Sequence, residues 1–176
     1  GIYTHWGPQS LGNLGFEQGV GWYGHELYMA DQMYQWQTGE LRLDEDGKPI
    51  PSPTWLHHKK TYGKLKKFGY KDLCKLFQPD KFDAAEWADL FHKAGAKFAG
   101  PVAMHHDNFA MWDSKATPWN AKDMGPKRDI TGELAEAIKK RELKFITTFH
   151  HAKQLQRDNS IHKEPREETY RLSDSP

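Results

Sequence analysis

Apolar positions along this chain change period several times, and each change marks an element. Residues 1–5 read as a short buried strand. Residues 7–24 hold many glycines and read as a long loop, and 25–37 are aromatic and helix-compatible. The segment 38–54 carries Asp44-Glu45-Asp46-Gly47 and three prolines, which predicts a loop, with short helical pieces following around 55–62 and 71–76. The clearest helix spans 83–94. Asp83 and Glu86 have capping-box spacing, and Gly95 supplies a left-handed stop. Trp87, Leu90, Phe91 and Ala94 recur at i, i+3, i+4 and i+7, so they are expected on one buried face. A strand over 97–104 follows. After a loop with Pro118 and Pro126, Asp129 caps a second helix over 130–141. Ile130, Leu134, Ala137 and Ile138 line one face of it, and Glu133, Glu136, Lys139 and Lys140 line the other. A third strand spans 144–149. Beyond Lys153 the chain is polar, and 153–176 is expected to be a loop, loosely helical or disordered tail.

Repeated helix-then-strand units predict an α/β fold with a parallel sheet or a barrel. Three strands and two crossover helices are visible. An eight-stranded barrel needs about 250 residues, so this pattern supplies about three-eighths of one. A sheet of that size has a free edge and uncovered helix faces. Self-association, or pairing with a missing C-terminal half, is expected to hide them.

Each strand ends in histidine: Thr4-His5-Trp6, Met104-His105-His106-Asp107 and Phe149-His150-His151. In parallel α/β folds the carboxyl ends of the strands carry the site, so these five imidazoles are expected to converge on one pocket. Two chemistries suit it. Neutral imidazole is a common metal ligand. It also binds hydroxyls, donating from one nitrogen and accepting on the other. Neither His-x-His on one strand nor His-Glu-x-x-His on a helix is present, so no specific motif marks a metal centre. Adjacent residues on an extended strand point to opposite faces, so His105 and His106 share a pocket only if the strand has ended. His25, His92 and His162 read as surface or structural residues. His57 and His58 precede Lys59-Lys60 and read as exposed.

Composition narrows the class further. The chain has 176 residues and a formal net charge of +1, which suits one domain and indicates neither a nucleic-acid nor a membrane-surface partner. Cys74 is the only cysteine, so no intrachain disulfide forms, and its amphipathic context predicts a buried small hydrophobe. No apolar run approaches the length of a membrane span. Seven tryptophans, seven tyrosines and nine phenylalanines supply core, with a surplus suited to stacking on sugar rings. The chain starts inside a strand with neither a signal peptide nor an initiator Met, so the natural N-terminus is expected to lie upstream.

Tyr3-Thr4-His5-Trp6-Gly7-Pro8, the run from Phe82-Asp83-Ala84-Ala85-Glu86-Trp87 to Ala94-Gly95-Ala96-Lys97, and His105-His106-Asp107-Asn108-Phe109-Ala110-Met111-Trp112-Asp113-Ser114-Lys115 together resemble the α-L-fucosidases of glycoside hydrolase family 29. Trp119-Asn120, Asp123-Met124-Gly125-Pro126-Lys127-Arg128-Asp129, Gly132-Glu133-Leu134-Ala135 and Lys144-Phe145 continue the match in order, over residues 1–152. The resemblance implies the N-terminal part of a (β/α)8 TIM-like barrel: its first three strand–helix units, with 153–176 as the tail. It implies retaining hydrolysis of terminal α-L-fucosyl bonds in a fucosylated oligosaccharide or glycoconjugate, without metal or other cofactor, in a periplasmic, secreted or lysosomal setting.

By the same resemblance His5 matches a first-strand histidine that binds fucose hydroxyls, and His105 and His106 match a second-strand pair lining the sugar pocket. His150-His151 stand where the family often has Tyr. Trp22-Tyr23 match the end of a Glu-Trp-Tyr loop, with Gly21 in place of the Glu and Glu26 as its candidate substitute. The substrate-binding set is therefore His5, Trp22, His105, His106 and His150. Asn108 replaces a Gly after His-His-Asp, which suits a left-handed turn. Glu142 replaces a Gly at the end of the second helix, at a cost on the order of 1 kcal/mol if φ is positive there. The family's nucleophile ends a fourth strand and its acid/base lies further on, so both are expected beyond Pro176; Asp158 and Asp174 follow no strand. Asp107 is expected to orient the histidine loop through hydrogen bonds. The competing readings are a metal-dependent hydrolase on a TIM barrel and an inactive carbohydrate-binding fragment.

Overall fold

The computed structural model describes residues 1–12, 23–28 and 40–150. In chain order these form β1 (Ile2–Thr4), a 3-10 turn (Pro8–Gly12), α1 (Tyr23–Tyr28), α2 (Pro53–Thr61), α3 (Tyr70–Leu76), α4 (Ala84–Lys93), β2 (Phe98–Met104), α5 (Ile130–Lys139), β3 (Lys144–Phe145) and β4 (Thr148–Phe149). The outer part of the helix expected over 25–37 and the tail 153–176 lie outside the described residues. All strand pairs are parallel, with β2 between β1 on one side and β3 and β4 on the other. The fold is α/β, as the alternation of helix and strand predicts.

Local signals set the two crossover helices. The Asp83 carboxylate accepts from the Ala85 and Glu86 amides, which satisfies two donors that have no partner inside α4. Gly95 has φ of +75° and lets Ala96 N–H reach back to the Phe91 carbonyl at 3.1 Å, closing the helix. Asp129 caps α5 by accepting from Gly132 N–H at 2.7 Å. Ile130, Leu134, Ala137 and Ile138 are all buried, the stripe that the period of 3.6 places inward. In α4 the stripe differs from expectation. Leu90 is 64% exposed and Ala94 is exposed, whereas Trp87, Ala88 and Phe91 face the core. The same spacing holds three residues earlier, at 84, 87, 88 and 91. Ala88 is fully buried, and the larger Leu90 is left exposed.

The core lies between one face of the sheet and this helix layer. Trp6 packs on Phe77, Phe82 and Trp87 with ring centroids 5.0–5.4 Å apart, which anchors the chain as it leaves β1. Ile2 and Phe145 pack against the same core, in which Ala99 is fully buried. Alternation along the strands turns Tyr3 and Phe98 to the opposite face, where they are 57% and 43% exposed. Cys74 is a free, fully buried thiol within the core.

The strand expected over 144–149 is split into β3 and β4, and the central strand explains the break. Pro101 has no N–H to give to its neighbour, so the ladder loses a donor there. Its carbonyl is instead taken by the Thr147 hydroxyl at 3.0 Å. One step earlier, Gly100 meets the third strand so closely that a Cβ would stand 1.6 Å from the Ile146 carbonyl oxygen. The register then shifts between Val102 and Met104, and pairing resumes in β4.

Asn108 and Glu142 both have positive φ, at 59° and 58°. Asn tolerates this turn, whereas Glu142 is exposed and gains nothing visible from it. Replacing Glu142 with Gly is expected to raise stability by about 1 kcal/mol, read as a higher urea midpoint at unchanged slope. An unchanged or lower midpoint would show that Glu142 makes a compensating interaction.

Candidate functional site

The sheet brings together the carboxyl ends of three of its four strands. His5 follows β1, His105 and His106 follow β2, and His150 follows β4. The His105 ring centroid lies 4.5 Å from His150, 4.7 Å from His106 and 5.4 Å from His5. His150 also lies 4.9 Å from His106 and 5.7 Å from His5. Four of the five expected imidazoles therefore form one cluster. His105 and His106 are buried, His150 is half-buried and His5 is exposed at the mouth. Trp22 and His151, expected beside them, lie outside the described residues, as do His162, Asp158, Asp174 and the His25 side chain.

The turn after β2 makes the cluster possible. The strand stops at Met104, and Asn108 N–H returns to the His105 carbonyl at 3.1 Å. Asp107 Oδ1 accepts from Phe109 N–H at 3.1 Å, an Asx turn, and its Oδ2 accepts from the Tyr70 hydroxyl at 2.6 Å. Asp107 therefore orients the histidine loop, as its position suggests. Tyr70 reaches it from α3, 37 residues away, and no local pattern marks that pair. Behind the turn, the fully buried Asn120 ties the long loop together. Its amide donates to the Ser114 and Thr117 carbonyls and to Asp123 Oδ2, and its oxygen accepts from the Lys122 and Asp123 amides.

Partial desolvation within the cluster, then the neighbouring His150, hold the His5 imidazole below its usual pKa although its outer edge is exposed. A neutral ring presents one donor and one acceptor, which suits hydroxyl groups. The same rings also offer metal-ligand atoms. One nitrogen from each of His5, His105 and His150 lies within 4.8 Å of the others. Tetrahedral zinc at ordinary Zn–N lengths needs ligand nitrogens about 3.4 Å apart, so an ion would require the rings to close in.

Two expectations about single residues change. His58 is fully buried rather than exposed. Its Nε2 lies 2.9 Å from the Phe68 carbonyl and must donate to it, which leaves Nδ1 to accept from the Tyr23 hydroxyl at 2.9 Å. Burial keeps that ring neutral, and it ties α1 to α2. Glu26, the candidate substitute for the loop carboxylate, is buried on α1 and accepts from the Thr54 hydroxyl of α2. Burial raises its pKa. Its described contact is thus to α2, and the structure does not join it to the histidines. His92 is exposed, as expected.

Asp107 gives a test of the turn. Burial pushes its pKa up to about 6, against the opposing hydrogen bonds from Tyr70 and Phe109. Between roughly pH 4 and 6 the folded state thus holds a proton that the unfolded chain has released, so this group's contribution to stability falls as pH rises through that window. Above it, the charged carboxylate is buried at a constant cost. Asp107→Asn is expected to remove this component, so that the variant's urea midpoint rises relative to the parent's between about pH 4.5 and about pH 7. A constant difference between them would show that Asp107 does not titrate in this range.

The family model for alpha-L-fucosidase matches residues 1–174. Over 150 residues the chain is 34% identical to the tissue alpha-L-fucosidase of Rattus norvegicus, covering 82% of this chain and 26% of that protein. Over 148 residues it is 34% identical to the plasma alpha-L-fucosidase of Homo sapiens, with the same coverage of 82% and 26%. Among solved structures, the Thermotoga maritima alpha-fucosidase in complex with fucose superposes with a TM-score of 0.67 at 35% identity, over 84% of this chain and 31% of that one. The chain thus spans about a quarter of the length of these curated relatives. With the family model matching residues 1–174 and a solved member superposing on 84% of the chain, the chain belongs to the α-L-fucosidase family.

Proposed function

We propose that this chain forms the sugar-binding part of a retaining α-L-fucosidase, and that His5, His105, His106 and His150, with Trp22, contact the deoxysugar. One observation carries the reading: four imidazoles from three parallel strand ends meet in a single cluster. The fit to a solved relative described as holding fucose supports it. Terminal α-L-fucosyl groups of an oligosaccharide or glycoconjugate are the proposed substrate. Hydroxyls on one side of the ring pair with neutral imidazoles, and the C5 methyl rests on an aromatic wall. The parallel sheet corresponds to the first three strand–helix units of a (β/α)8 barrel, whose lumen is the face carrying Tyr3 and Phe98.

Retaining hydrolysis uses two carboxyl groups, one to attack the anomeric carbon and one to protonate the leaving oxygen. Among the described residues Asp107 adjoins the histidines in sequence, and both its oxygens are already engaged in the turn. We assign it to positioning, and place the two reacting carboxylates in the part of the family fold that this chain does not span. A metal-dependent hydrolase is the second reading, favoured by the spacing of His5, His105 and His150. Stoichiometric zinc in the purified protein, lost on replacing these histidines, would establish it over the fucosidase.

His5→Ala is expected to weaken L-fucose binding by about 1–3 kcal/mol, the cost of leaving a polar partner unsatisfied. Calorimetric titration measures it, and an unchanged affinity would remove His5 from the site. The 176-residue chain on its own is expected to bind fucose without hydrolysing an aryl α-L-fucoside, and to sediment as an oligomer because Tyr3 and Phe98 leave an apolar sheet face open. Turnover by the purified chain would place the chemistry on Asp107, Glu26 or Asp158, and a monodisperse monomer would show that this face is covered from within.

A further inference from the structure

The cations of this chain are unevenly spread. Residues 47–71 contain seven lysines, at 48, 59, 60, 64, 66, 67 and 71, and no Asp or Glu. The rest of the chain holds eighteen basic against twenty-four acidic residues, so a net charge near zero conceals two regions of opposite sign. The fold gathers part of the basic run around one concavity. After α2 the chain turns through Gly63, at φ of +89°, and heads towards α3. Trp55, Lys59, Gly63, Lys64, Leu65 and Lys66 line a cavity of about 340 Å³ there. None of the clustered histidines lines it. Asp72, the first acid after the run, is committed elsewhere: it caps α3 through Gly69 N–H at 2.9 Å and pairs with Lys75 at 3.9 Å.

An ordinary role accounts for some of these lysines. Lys59 and Lys60 occupy the last turn of α2, where cations complement the helix carbonyls. Lys64 and Lys66 lie beyond the helix, on the turn that lines the cavity. Trp55 adds a different chemistry. It is half-buried, with the Lys59 ammonium 4.6 Å from its ring centroid. A ligand combining an apolar ring face with a negative charge would meet both features, with the ring on the indole and the charge among the ammonium groups.

We propose that this groove is a second carbohydrate site, specific for an anionic saccharide bearing sulfate or carboxylate groups. The choice of a sugar rests on the reading of the chain as part of a glycan hydrolase; the choice of an anion rests on the lysines alone. The volume sits at the lower end of the range for small-ligand sites, which favours one or two sugar rings over a nucleic-acid duplex or a bilayer. Residues 47–71 contain no arginine, so recognition is by point charges and not by a planar fork, which tolerates sulfate and carboxylate alike. Such a site would hold an acidic glycan chain and select substrates by their charge.

The test titrates the purified chain with a sulfated oligosaccharide and with its desulfated counterpart, following Trp fluorescence and calorimetry. Binding of the sulfated form only, weakened by salt, is expected. Lys59→Gln, Lys64→Gln and Lys66→Gln combined should weaken it about tenfold, given three exposed charge contacts. Trp55→Ala should weaken it several-fold. Removing the same charge elsewhere, by Lys93→Gln, Lys97→Gln and Lys144→Gln, should change it little. Equal losses in the two triple variants would overturn the site, as would equal binding of the desulfated sugar, or tighter binding of single-stranded DNA or of phosphatidylserine vesicles. His5→Ala should leave this affinity unchanged while reducing that for fucose. Failure of the fucosyl reading would therefore appear as lost fucose binding with sulfated-sugar binding intact, and failure of this proposal as the reverse.

Discussion

Adjacent side chains on an extended strand point to opposite faces, so two neighbouring histidines can enter one pocket only where the backbone turns between them. That requirement fixes the construction after β2. Met104 ends the strand, Asn108 takes a left-handed conformation, and Asp107 holds the turn with one oxygen on Phe109 N–H and the other on Tyr70. Burying a carboxylate is expensive, and its raised pKa reflects that cost. The hydrogen bond from α3 makes the arrangement tenable and links the helical layer to the strand ends. The His105 and His106 rings can then lie nearly perpendicular, at 89° and 4.7 Å, and both can meet His150.

A second constraint acts in the centre of the sheet. Proline normally avoids a central strand because it lacks a ladder donor. Here Pro101 and Gly100 face the third strand at the point where it breaks into β3 and β4. The glycine admits the Ile146 carbonyl, and the Thr147 hydroxyl replaces a backbone donor. Pairing resumes with a shifted register, and His150 N–H reaches the Met104 carbonyl at 3.0 Å. The broken strand is thus fastened again at its carboxyl end, beside the histidines, where position matters most.

These features were not equally legible in the sequence. Strand ends carrying histidine, caps at Asp83 and Asp129, and the glycine stop after α4 are local signals, and each is realised. The buried face of α4 was misplaced because the large Leu90 outweighed the small Ala88; periodicity gives the spacing of a stripe, but its phase depends on what the helix packs against. His58 looked exposed beside two lysines, yet Tyr23 and Phe68 enclose it. The Tyr70–Asp107 pair spans two elements and leaves no trace in either segment alone. The split of the third strand was readable in principle, since Pro101 sits in a strand that must pair on both sides, but the consequence falls on residues 146–147, forty-five positions later.

Charge segregation follows from the same division of labour. A pocket of the proposed kind, reading neutral hydroxyls, needs imidazoles that are both donors and acceptors, and partial desolvation beside His150 favours the neutral form of His5. A nearby lysine would add a point charge without an acceptor and would favour anions over hydroxyls. Five of the seven lysines of the run lie on α2 and the turn that follows, with α2 held to α1 through the buried Tyr23–His58 hydrogen bond, while the strand ends carry histidine. On the proposed readings, two recognition chemistries that would interfere at one site rest on different elements, the lysines on α2 and its turn and the imidazoles on the strand ends.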